Sequence, residues 1–76
     1  MLHHDGKLGQ RLKAYRKKYD LYQWEVAAFL GVSRSTYAYY ESGKIEPRFG
    51  FCLKLCILYS ISMQDLTGIP PKKGGK

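Results

Sequence analysis

Apolar residues near the start of the chain fall at Leu8, Leu12, Tyr15 and Tyr19, in steps of four, three and four. That is the repeat of one helix face, and it predicts a helix over 7–19. The opposite face carries Lys7, Arg11, Lys13, Lys17 and Lys18. Asp20 and Leu21 interrupt the repeat, which resumes over 22–30 with Val26, Ala27 and Leu30 as its buried stripe. Gly31 then stops the second helix, because glycine reaches positive φ without a Cβ clash. Ser33 suits the N-cap of a third helix, predicted to end at Ser42 before Gly43. Pro47 suits the first turn of a fourth helix that runs to about Tyr59. "SMQD" at Ser62–Asp65 resembles a capping box and starts a short fifth helix, closed by Gly68 and the Pro70–Pro71 pair. No run alternates as a strand does. The pattern predicts an all-α, compact five-helix domain over 7–67, with a flexible N-terminal end at 1–6 and a basic flexible tail at 68–76.

Composition narrows the function classes. A chain of 76 residues is one domain, near the lower end of what folds unaided. Thirteen Lys and Arg against six acids give a net charge of +7. Such an excess favours a polyanionic partner such as nucleic acid. No apolar run approaches the ~18 residues of a membrane span, so no membrane role is expected. "MLHHDGK" lacks the apolar core of a secretory signal, which points to the cytoplasm. His3 and His4 fall in the expected loose end. Cys52 and Cys56, four apart, would share one helix face and act as small core hydrophobes rather than form a disulfide. No second cysteine pair or spaced histidine suggests a metal. Without a nucleophile–base pair or a phosphate loop, neither an enzyme nor a cofactor is expected.

Two short helices joined by "GVS" form the helix-turn-helix pattern. At 100° per residue, Tyr37, Tyr40 and Glu41 share one arc of the third helix and can face the core. Ser35, Ala38 and Tyr39 share the opposite arc, with Arg34 beside them at the N-terminal end. A recognition helix presents side chains to base edges from that end. Arg34 can fork onto guanine O6 and N7, and Ser35 can donate or accept. Tyr39 can offer a ring edge to a thymine methyl or its hydroxyl to a phosphate. The bland readings are that Arg34 and Lys44 are solvated charges and that Tyr39 packs on a neighbouring helix. The lysines of the first helix read as a solubility face.

"LGQRLKAYRKK", "YQWEVAAFLGVS", "YYESGKIEP" and "SISMQDL", taken in order, make the chain resemble the lambda-repressor/Cro-like (XRE-type) helix-turn-helix DNA-binding family. The resemblance runs from Leu8 to Leu66. It implies a repressor-like bacterial or phage regulator that binds double-stranded DNA through the helix at about 33–42. It also implies that Arg34, Ser35, Thr36 and Tyr39 read bases, and that Gln23, Ser33, Ser42, Lys44 and Arg48 hold the phosphate backbone. Arg16 and Glu41 match a structural salt bridge. Family members commonly bind as two-fold dimers.

The chain also departs from that family. Tyr22 stands where a Thr or Ser cap is usual, leaving Asp20 or nothing to cap the second helix. Trp24, Ala28 and Phe29 occupy positions that are normally polar. The fourth helix is apolar nearly all round, which exceeds what a chain this short can bury. Ile57, Leu58 and Ile61 are the candidate homodimer interface. The alternative is a protein-interaction module, an antitoxin or adaptor, taking a protein partner through the fourth helix.

Overall fold

The computed structural model describes residues 4–70. Its five helices are α1 (Leu8–Lys18), α2 (Gln23–Leu30), α3 (Arg34–Ser42), α4 (Phe49–Tyr59) and α5 (Met63–Thr67). The expected segment 1–3, His3 included, and the tail from residue 71 onward lie outside the described residues.

Every helix contributes to one core. Leu8 and Leu12 enter from α1, Val26, Ala27 and Leu30 from α2, and Tyr37 and Tyr40 from α3. Cys52, Leu55, Cys56 and Tyr59 enter from α4, and Leu66 from α5. Full burial of a side chain such as Leu12 or Leu55 contributes about 1.5–3 kcal/mol, so no single layer dominates. Both cysteines are free thiols buried among these residues, and burial pushes the Cys52 thiol up to about 11. They pack as small hydrophobes.

The helix ends show how local sequence sets the boundaries. Ser33 Oγ accepts from Thr36 N at 3.1 Å and starts α3. Ser62 Oγ accepts from Asp65 N while Asp65 Oδ2 accepts from Ser62 N, a reciprocal capping box that starts α5. At α2 the Tyr22 side chain makes no capping bond, and Asp20 makes none either. Glu25 instead reaches back, and its Oε1 accepts from Tyr22 N at 2.8 Å. Of the two expectations for this end, a cap from Asp20 or none, the Asp20 cap is not formed: Asp20 has a left-handed φ of 60°, part of the bend between α1 and α2. Pro47 is also corrected. It lies outside α4, buried, and the N-cap is Arg48 in extended conformation.

Helices α1 and α3 touch at their backbones. A Cβ on Gly9 would stand 2.3 Å from the carbonyl oxygen of Glu41, so only glycine allows this crossing. At the other end of α1, Tyr15 stacks on Tyr59 with ring centroids 5.5 Å apart. The Tyr19 ring also meets Tyr59, and its hydroxyl donates to Tyr59 O at 3.1 Å. Tyr19 thus belongs to the α1 stripe while staying exposed at its outer edge.

The segment before α1 has contacts that no sequence pattern announces. The two terminal guanidinium nitrogens of Arg11 donate to Asp5, each at 2.7 Å, and Asp5 N donates to Thr67 O. His4 Nε2 pairs with Glu46, and its Nδ1 accepts from Gly6 N. Residues 4–6, grouped by sequence with a flexible end, lie against both α5 and the loop after α3.

Candidate nucleic-acid interface

The turn between α2 and α3 is Gly31, Val32 and Ser33. Gly31 takes φ +78°, which reverses the chain at little steric cost. Val32 packs against the core from within the angle, and its amide donates to Ala27 O. This three-residue turn fixes α3 across α2 and leaves the N-terminal end of α3 outermost.

On that outer side Arg34, Ser35 and Tyr39 are exposed, while Tyr37 and Tyr40 on the opposite arc are buried. The division matches the helical wheel. Thr36 is half-buried, and its hydroxyl accepts from Ser33 Oγ at 3.0 Å. Ser33 thus spends its hydroxyl proton on Thr36 and must give up this bond to donate to DNA, whereas Thr36 accepts here and keeps its own O–H to donate. Ser42 Oγ is similarly engaged, donating to Tyr39 O. Arg48 is exposed at the start of α4, and Lys44 at the loop lies 4.6 Å from the centroid of the Tyr39 ring. Among the described residues Arg34 and Arg48 make no ion pair, so both guanidinium groups remain available to an anion.

Behind this surface lies a polar cluster that holds α1, α2 and α3 in register. Arg16 Nε donates to Glu41 Oε2 at 2.6 Å and its NH2 group to Glu41 Oε1 at 3.1 Å. The third arm of Arg16 donates to Leu21 O at 2.9 Å. Gln23 Nε2 donates to Glu41 Oε1 at 3.2 Å, so the first residue of α2 braces α3 directly. The Arg16 and Glu41 side chains are only 11% and 5% exposed. Burial by itself would raise the Glu41 pKa, but the hydrogen bonds and charge of Arg16, with the hydrogen bond from Gln23, outweigh it and hold the carboxyl below its ordinary range. The Tyr37 and Tyr59 hydroxyls are buried close by, without a partner in hydrogen-bond geometry among the described residues. Burial, then the charge of Glu41, pushes both phenols up, Tyr59 to about 12.

Three further residues assigned from sequence sit on α4 and after it. Ile57 is 76% exposed, but Leu58 and Ile61 pack against the core. The residues that share the outward face of Ile57 are Phe49 and Leu53, 56% and 42% exposed, at steps of four. The narrow polar strip of Gly50 and Lys54, also exposed, lies beside this face. Trp24 and Phe29 on α2 are exposed as well.

A three-residue turn, an exposed outer arc on its second helix and a buried brace are the features of the helix-turn-helix class. A family model described as helix-turn-helix matches residues 12–66, and the chain belongs to that family. It is similar to an uncharacterized HTH-type transcriptional regulator of Methanocaldococcus jannaschii, 34% identical over 56 residues that cover 74% of this chain and 85% of the relative. The P22 c2 repressor protein, solved in complex with a synthetic operator, matches with a TM-score of 0.72 at 29% identity, over 78% of this chain and 89% of that one. The antitoxin PezA of Streptococcus pneumoniae is 31% identical over 61 residues, 80% of this chain. The match spans only 39% of that antitoxin's length. This chain is a helix-turn-helix regulator that binds DNA, repressor-like in its architecture.

Proposed function

We propose that the protein binds double-stranded DNA sequence-specifically, with α3 in the major groove, and represses transcription as a bacterial or phage regulator. The observation that carries this reading is the exposed arc of Arg34, Ser35 and Tyr39 on a helix held from behind by Arg16, Gln23 and Glu41. Arg34 offers two parallel donors to a guanine edge, Ser35 adapts to either base, and Tyr39 meets a thymine methyl. Thr36 joins them through its own O–H, which the bond accepted from Ser33 does not use. In this reading Gln23, Ser33, Ser42, Lys44 and Arg48 hold phosphates and set register. Such a regulator works in the cytoplasm, beside its DNA.

The protein acts as a homodimer in this reading, since a palindromic operator needs two recognition helices about 34 Å apart. The exposed stripe of Phe49, Leu53 and Ile57 supports α4 as the contact between copies. The same stripe supports a second reading, in which α4 holds another protein as an antitoxin or adaptor would. Selection of binding sites from randomised duplex DNA separates the two. The proposal expects enrichment of a two-fold symmetric site with half-sites about one helical turn apart. Recovery of unenriched sequence would remove it and favour the adaptor.

A further inference from the structure

The loop after α3 is fastened to one residue, Tyr39, at both its backbone and its ring. Ser42 Oγ and Ile45 N both donate to Tyr39 O, at 3.2 and 3.3 Å. Lys44 N donates to Ser42 Oγ at 3.4 Å, which sets the start of the lysine side chain. Gly43, at φ +84°, turns the chain back so that residue 44 overlies the last turn of α3. The Lys44 ammonium then comes to rest 4.6 Å from the centroid of the Tyr39 ring.

A cation over an aromatic face is attracted by the ring quadrupole. Here it acts on the ring of an exposed residue, Tyr39 being 38% exposed. An unheld tyrosine at that position would lose rotamer freedom on meeting a base, and that loss subtracts from the binding of every site Tyr39 reads. Resting on α3 through its ring, Lys44 removes part of that loss before DNA arrives.

We infer that Lys44 is a specificity-positioning residue: through its contact with the ring it presets Tyr39 for base reading, in addition to any charge it lends to a phosphate. The inference rests on the reading of α3 as the recognition helix. It separates two consequences of one side chain. A lysine that only meets phosphate adds affinity equally for every sequence. A lysine that presets Tyr39 adds more for the sequence Tyr39 reads.

The experiment uses the full chain and two duplexes, one from binding-site selection and one scrambled. Lys44→Ala should weaken the selected duplex about two- to fivefold more than the scrambled one, the range expected for an exposed cation–ring contact. Lys44→Arg, which keeps the cation, should restore the difference, and Lys44→Met, which keeps only the stem, should not. In a Tyr39→Ala background Lys44→Ala should lose equal factors on both duplexes, whereas in Tyr39→Phe, which keeps the ring, the excess should persist. Proton NMR of the free protein gives a reading without DNA: the Lys44 side-chain methylenes should resonate upfield and return to ordinary positions in Tyr39→Ala. Equal losses on both duplexes from Lys44→Ala, in a wild type that discriminates between them, overturn the inference alone. A wild type that binds both duplexes equally overturns the reading of α3 and the inference with it.

Discussion

Arg34 and Glu41 show the two ways one residue of α3 serves the site, and each carries its own prediction. Arg34 is exposed with no ion pair among the described residues, so its loss should act on DNA and leave the fold intact. Arg34→Ala should cost about 1–3 kcal/mol on the selected site and relax preference at one base pair. An equal loss on a scrambled duplex would mean that Arg34 reads no base. Glu41 does the reverse. Its removal leaves the Arg16 guanidinium nearly buried and unpaired, so Glu41→Ala should destabilise the fold by about 3–5 kcal/mol. A thermal melt unchanged from wild type would refute that. The same pair sets an acid limit. The Glu41 carboxyl is held below its ordinary pKa of 4.5, so its stabilisation is full above that value and fades as pH falls through the lower folded one. Asp5, held well below the carboxylate range by the Arg11 guanidinium, shifts in the same direction. Melting temperature should therefore drop progressively below about pH 4.5, more steeply than in Glu41→Gln. A profile identical in the two proteins would contradict this account.

At the scale of helices, the apolar repeat and the caps made most of the fold legible before any coordinates. Ser33 and Ser62 mark α3 and α5 because a hydroxyl one residue before a helix accepts an otherwise unpaired backbone N–H. The start of α2 was less legible, since the capping there comes from Glu25 rather than from Tyr22 or Asp20. Pro47 misled because proline favours the first helical position but is equally at ease just outside it. The crossing of α1 and α3 at Gly9 could not be read at all. A glycine inside a helical repeat costs helix propensity, and only the neighbouring carbonyl of Glu41 explains it. Gly9→Ala should therefore lower stability by about 1–3 kcal/mol, the range for overpacking, with Tm falling about 4–8 °C for each kcal/mol. A rise in Tm, as helix propensity alone would give, would show that the two backbones can separate at no cost.

At the scale of the molecule, the outer arc of α3 was legible because a helical wheel divides it cleanly, and the exposed stripe of α4 was not. Leu58 and Ile61 looked as available as Ile57 in sequence, yet the core takes them and exposes Phe49 and Leu53 instead. Long-range contacts such as Asp5 with Thr67 and His4 with Glu46 have no local signature either. The assembly prediction follows the exposed stripe. Ile57→Lys should remain folded, because Ile57 is already solvent-facing, but should sediment as a monomer and bind the selected duplex much more weakly. A wild type that stays monomeric at high micromolar concentration and binds one copy per site would transfer the stripe to another protein. The central claim is narrower than assembly: the protein tells one DNA sequence from another through α3. Competition between the selected and a scrambled duplex, at one fixed salt concentration, tests it most directly. The account predicts a preference for the selected duplex of about a thousandfold or more, and equal affinities for the two would contradict it.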